Sequence, residues 1–165
     1  MQSIGFKEWA LVCAALGEGR QTVIIRKGGI AEGRAGFAFR HREFFLFPTF
    51  FHEQLERVRT TEPVLPEPVP NVIEISCFAR VEEAQVMTHW DEVRALEGRH
   101  ILREEVIRER FDSDETPGVH VAFVKVFRLA PFWRFPDAKA YGGCRSWVQL
   151  PEPPAALELH PVNVR

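Results

Sequence analysis

Cross-linking chemistry is scarce in this chain of 165 residues. Its three cysteines, Cys13, Cys77 and Cys144, are odd in number, far apart and in no CxxC pair. That spacing argues against a disulfide framework and against a cysteine-held zinc. The six histidines show no HxH, HxxxH or HExxH spacing, so no metal site is expected. No P-loop or dinucleotide fingerprint is present, and no cofactor is expected. Long apolar runs are also missing. The N-terminal "MQSIGFKEWALVCAALGEGR" has no basic region before an apolar stretch, and Gly17 breaks its longest run. No signal peptide and no membrane partner are expected, which points to a reduced, cytoplasmic protein. Neither sign of charge dominates: 21 Lys and Arg stand against 23 Asp and Glu, a net charge of -2. Nucleic-acid binding would have to rest on a local patch. Tyrosine occurs once against fourteen Phe and four Trp, so most aromatics are expected in the core.

What is present reads as one α+β domain over 1–150, followed by a Pro-rich C-terminal tail over 151–165. The sheet is expected to be largely antiparallel or mixed, partial closure into a barrel being one form of it, with two or three short helices. "WALVCAAL", "GEGR" and "QTVIIRK" read as two apolar runs about a turn, hence a hairpin; a helix from Phe6 to Leu16 competes with it. "FAFRHREFFLFPTF" reads as a second hairpin turning at "RHRE". Thr49 would then cap a helix through "FFHEQLERVR". Four prolines between Pro63 and Pro70 predict an extended surface connection. "VIEISCFARVEEAQV" alternates, with Ile73, Ile75, Cys77, Ala79 and Val81 facing one way. Thr88 caps a helix ending at Gly98, and "HILREEVIRERF" is a second helix with Leu102 and Val106 inward. "VHVAFVKVFRL" is apolar in both registers and predicts a central strand covered on both sides. "CRSWVQL" is the last strand.

Three stretches carry the chemistry. "RKGG" follows an apolar strand, and glycines there let backbone N–H groups converge on an anion while Arg26 and Lys27 supply charge. A glycine turn with a solvated basic rim explains the same letters. "YGGCRSW" joins paired glycines to a cation and two aromatics. Arg145 suits a carboxylate or phosphate, and Tyr141 or Trp147 offers a stacking face for a base. Cys144 reads as a buried, inert thiol. "FPTFFHEQ" contributes His52, a candidate acid or base, beside Glu53. "REEVIRER" keeps only Gly98 and Glu104 in step with a Nudix box, and "FVKV" has Phe123 where a PD-(D/E)xK nuclease needs an acid. Both enzyme classes are set aside.

Taken together, "FKEWALVCAALGEGRQTVIIRKGGI", "FLFPTFFHEQ", "VFRL" and "YGGCRSWVQL" resemble the prokaryotic domain of unknown function 1802 family, over roughly Phe6 to Leu150. The resemblance implies no established activity. It does imply shared stretches that single out Arg26, Lys27, Gly28, Gly29, Pro48, Thr49, His52, Gln54, Tyr141, Gly142, Gly143, Cys144, Arg145 and Trp147. Of these, all but Pro48 and Cys144 are the candidate ligand-binding residues. The leading expectation is a module that binds phosphate-bearing ligands, a nucleotide or single-stranded nucleic acid. A hydrolase on the same ligands is one alternative. A structural or regulatory interaction domain, whose glycines serve only turns, is the other.

Overall fold

The chain changes from strand to helix without a turn residue between them. Residues Ile4–Trp9 form strand β1, and Ala10–Gly17 form helix α1. Neither the expected hairpin nor a helix starting at Phe6 is formed. Alanine-rich "ALVCAAL" favours helix, while Phe6 is held in β1 by sheet neighbours that local propensity does not reveal. The helix is buried at seven of its eight residues, as expected of a helix that is apolar all round. It packs so closely that a Cβ on Gly17 would lie 2.8 Å from the Cys77 sulfur. The computed structural model describes residues 1–27 and 36–165; Gly28 and Gly29 lie outside the described residues.

The described residues form a mixed, open sheet of seven strands. After β1 come β2 (Val23–Arg26), β3 (Glu43–Thr49), β4 (Val72–Met87), β5 (Val119–Pro136), β6 (Trp147–Gln149) and β7 (Glu158–Pro161). The order is β2-β5-β4-β3-β1-β6, with β7 on β5. The outer strands of that order, β2 and β6, do not pair, so the sheet does not close into a barrel. The β1–β3 pair is parallel and the others are antiparallel. The second hairpin is not formed either. Phe37 and Phe39 precede β3 without joining a strand, because their rings pack on Phe6, at 6.0 and 5.7 Å. Within the C-terminal segment, β7 runs antiparallel to β5, and the Arg165 N–H donates to the Gly19 carbonyl at 2.9 Å.

Both faces of the sheet are covered. Phe44 and Leu46 enter one apolar cluster, which α1 fills; Phe45 and Phe47 enter the other, with Trp133 and Phe135. The expected common face of β4 splits at its middle. Ile75 lies in the second cluster, whereas Cys77, Ala79 and Val81 lie in the first. The β4–β5 register shifts between Ile75 and Cys77, and such an irregularity reverses the facing of the residues that follow it, before a second shift between Val81 and Glu83. Two short helices, α2 (Trp90–Arg94) and α3 (Glu104–Phe111), follow β4. His89 takes the N-cap position expected for Thr88. On α3, Val106, Ile107 and Phe111 are buried. Among the described residues no helix is long and apolar enough to cross a membrane.

One side chain caps α1 from a distance. Gln54, fully buried in the 3₁₀ turn His52–Glu56, accepts the Leu11 N–H at 3.0 Å and donates to the Thr49 and Phe51 carbonyls, both at 2.9 Å. The helix expected from Thr49 is thus a single turn, and Thr49 donates to the Glu8 carbonyl at 3.2 Å instead of capping it. Gln54→Leu keeps the bulk but orphans these three backbone groups. It should lower unfolding stability by about 3 kcal/mol in urea titrations.

His100 is 6% exposed, and its Nδ1 accepts the Leu102 N–H at 3.1 Å. Burial, reinforced by the Arg59 and Arg110 guanidiniums, lowers its pKa from 6.5 to about 4. The folded state therefore holds the neutral ring. Its stabilisation is complete above pH 6.5 and is lost as pH falls through that window to about 4. The change amounts to about 3 kcal/mol. In His100→Asn, where Oδ1 replaces Nδ1 as acceptor, stability measured between pH 7 and 4 should lack this component of the slope.

Candidate functional site

Strand β1 reads "IGFKEW", a charged pair inside an apolar stretch. Side chains alternate along a strand, so Phe6 and Glu8 face the α1 side and Lys7 the other. Lys7 is 9% exposed, and its ammonium donates to the Gly143 carbonyl at 3.1 Å. Among the described residues it makes no ion pair. Burial, then the Arg145 charge, lowers its pKa; Cys144 and Asp137 act the other way. Gly143 has φ +84, a conformation that favours glycine, and this turn aims its carbonyl at Lys7.

Two of the sequence motifs meet at this residue. From the "RKGG" side, an Nη of Arg26 donates to the Lys7 carbonyl. From the "YGGCRSW" side, besides Gly143, the Ser146 carbonyl accepts the Lys7 N–H at 2.8 Å. The third motif touches the next residue, through Thr49 and the Glu8 carbonyl. Sequence reasoning missed Lys7. The available signal was a cation flanked by Phe6 and Glu8 in a run otherwise fit for burial.

The Lys7 side opens into a groove of about 580 Å³. Phe47, Pro48 and Thr49 of β3 form one wall, the segment from Pro66 to Asn71 another, and Asp137, Tyr141 and Gly142 a third. Tyr141 is half-buried, its ring 5.6 Å from Phe47 and 5.7 Å from Phe135. Arg145 and Cys144 are exposed. The expected burial of Cys144 does not hold, because it lies in an exposed turn before β6; Cys13 and Cys77 are buried, and all three thiols are free.

Other candidate residues are engaged elsewhere. Lys27 donates to the Thr116 and Gly118 carbonyls at 2.7 and 3.1 Å and pairs with Asp114 at 3.2 Å, tying down the start of β5. Trp147 is 8% exposed, packs 4.9 Å from Phe6 and donates its indole N–H to the Ala38 carbonyl at 3.2 Å. It belongs to the core and offers no stacking face. Both amide hydrogens of Gln54 are committed to the backbone. His52 is exposed on its 3₁₀ turn. Among the described residues, no group of three or more His, Cys, Asp or Glu is placed to hold a metal ion.

On the opposite side of β1, Glu8 is 3% exposed and accepts the Trp9 N–H at 2.8 Å. Arg110 of α3 reaches this region. It donates to the Ile25 carbonyl at 2.6 Å and lies 4.8 Å over the Trp9 ring. Burial lowers its pKa to about 10, the Glu8 charge opposing that shift.

No curated protein matches the chain. Three solved structures align with the chain, all of an ASCH protein from Zymomonas mobilis. A tyrosine-to-phenylalanine mutant aligns with a TM-score of 0.52 and 14% identity, over 92% of this chain and 92% of that one. A serine-to-alanine mutant gives 0.49 and 14%, over 94% and 86%. A third structure gives 0.46 and 15%, over 73% of this chain and 65% of that one. At these identities the likeness concerns fold alone. The sequence relationship is closer to home: the model of domain of unknown function 1802 matches residues 5–164, and the chain belongs to that family.

Proposed function

We propose that the groove beside β1 binds a phosphate-bearing ligand, a nucleotide or a segment of single-stranded nucleic acid, and that the chain is a cytoplasmic binding module. The observation that carries this reading is Lys7. An ammonium drawn out of water costs several kcal/mol unless an opposite charge compensates it. Here a neutral carbonyl is its hydrogen-bond partner, and burial and the like charge of Arg145 outweigh the opposing effect of Cys144 and Asp137. An anion at the groove relieves both. Tyr141 supplies an aromatic face on one wall for a base, and the groove's size falls within the usual range for small-ligand sites, about 300–1,000 Å³. Three free thiols, one of them exposed, suit a reducing compartment.

Hydrolysis in the same groove is the second reading. A lysine whose pKa is lowered is neutral for more of the time than an ordinary one, and only the neutral amine accepts a proton. It predicts turnover of a bound nucleotide or strand, and loss of that turnover in Lys7→Met while binding by the remaining groups persists in part.

The test is a titration of wild type, Lys7→Met, Arg145→Ala and Tyr141→Leu with inorganic phosphate, a nucleotide panel and a labelled single strand. Lys7→Met and Arg145→Ala should each weaken nucleotide binding by about 1.5–3 kcal/mol, the range for a hydrogen bond to a charged group. Tyr141→Leu should weaken nucleotides by about 1–3 kcal/mol and leave inorganic phosphate unaffected. Lys7→Met should melt no lower than wild type, because it removes a buried unpaired charge. A wild type that binds none of the panel, or cation variants that bind as wild type does, would overturn the reading.

A further inference from the structure

The groove beside β1 opens where two strands part. β3 and β4 are paired from Glu43 and Arg80 to Phe45 and Phe78, where their ladder ends. Beyond that point Pro48 and Thr49 of β3 line the groove from one side, and Ile73 and Glu74 of β4 from the other. A further wall is the turn after β5, which carries Asp137 and Tyr141. This turn is pinned at every step. The Asp137 N–H donates to the Asn71 carbonyl at 2.9 Å, and Asp137 Oδ1 accepts the Ala138 N–H at 2.8 Å. The Tyr141 N–H then reaches the Ala138 carbonyl at 3.1 Å, and the Gly142 N–H the Lys139 carbonyl at 3.0 Å. A carboxylate and an aromatic ring are therefore held at a fixed separation on one wall.

Asp137 lies close enough to Lys7 for its charge to act on the ammonium, yet among the described residues it makes no ion pair. Two other carboxylates line the groove. Glu74 is engaged by Arg134 at 2.5 Å, and Glu67 lies on the Pro-rich wall, away from the Tyr141 turn. Asp137 is thus the acceptor beside the ring. A carboxylate offers about four lone-pair sites and no donor, so the backbone contact leaves it room for a ligand. Guanine alone among the common bases presents two adjacent donors, N1–H and the exocyclic amine, to such a group. Adenine and cytosine place an acceptor beside their amine, and uracil flanks its one donor with two acceptors. Each of those acceptors is repelled by the carboxylate oxygens. We propose that the groove is selective for guanine, the Asp137 carboxylate accepting both donors of a base stacked on Tyr141. The inference rests on the reading of the groove as a nucleotide site and adds the identity of the base.

The test is a calorimetric titration of the full chain with the monophosphates of guanosine, inosine, adenosine, cytidine and uridine. Guanosine monophosphate should bind at least about tenfold tighter than the adenosine, cytidine and uridine forms, the discrimination of a good bidentate contact. Inosine monophosphate, which keeps N1–H but lacks the amine, should fall about tenfold below guanosine monophosphate, the loss of one hydrogen bond to a charged group. Asp137→Asn keeps an oxygen for the Ala138 N–H and replaces the other by a donor. The guanosine-to-inosine ratio should collapse to about one in this variant, an effect that a merely structural role for Asp137 would not produce. Inorganic phosphate should bind the variant at least as tightly as it binds wild type, since a negative charge near Lys7 is gone. In Lys7→Met all five ligands should weaken together and the ratio should persist. Equal binding of the five by wild type, or a ratio that survives Asp137→Asn, overturns the guanine assignment and leaves the groove a nucleotide site. Binding of none overturns both.

Discussion

Four polar contacts fall on two consecutive residues of β1. The carbonyl of Lys7 takes a guanidinium N–H from Arg26, its N–H reaches the Ser146 carbonyl, its ammonium reaches the Gly143 carbonyl, and the carbonyl of Glu8 takes the Thr49 hydroxyl. Segments more than a hundred residues apart are fixed to one another through this short strand. The constraint is a demand for satisfied backbone groups. β1 loses its antiparallel partner after Phe6, where the β6 register stops, and a buried carbonyl beyond that point must find a donor elsewhere. Arg26 supplies it. The same arginine covers the face of Phe6, so one side chain both closes the sheet edge and caps an aromatic cluster.

That arrangement gives the polar motif residues a different meaning from the one their letters suggest. Glycines beside cations read as a cradle for an anion, in which backbone N–H groups do the binding. In "YGGCR" the backbone group that matters is a carbonyl, turned by Gly143 onto a lysine. Thr49 and Gln54 are likewise spent on main chain. Their work is to position β1 and α1, and around that strand lie Lys7, Arg26 and Arg110, which donate to backbone carbonyls and make no ion pair among the described residues. Any anion chemistry at this place depends on that separation between residues that build and residues that remain available.

Much of the fold was legible because it rests on patterns local to each element. The two long strands β4 and β5 announce themselves by β-branched and aromatic content, and the apolar double face of β5 reports its central position. The failures share one cause, a neighbour distant in sequence. Nothing in "FKEWALV" marks where strand becomes helix, since the cap on Leu11 comes from Gln54, forty-three residues on. The regular alternation of β4 hides a shift imposed by β5. Phe37 and Phe39 look like strand residues and are ring packing instead. The site was half legible for the same reason. Two of the motif segments do come together, but the residue at which they meet is a single lysine in an apolar strand, and its burial there without an ion pair among the described residues is a property of the fold.

A net charge of -2 makes the whole molecule an indifferent partner for a polyanion, and the ion pairs on its surface cancel locally, as between Arg80 and Glu43 or Arg134 and Glu74. Among the described residues without an ion pair, Lys125, Lys139 and Arg145 are exposed, whereas Lys7 is sheltered at 9% exposure. This matters for the kind of recognition available. Exposed lysines and arginines bind nucleic acid through a long-range field that salt screens over about 8 Å at physiological ionic strength. Cations enclosed by Phe6, Phe37, Trp9 and the walls of a groove are screened far less, and they act only on a group that enters and gives up its own water. Such charges discriminate by shape and contact, which favours an individual phosphate seated in place over a strand held at a distance.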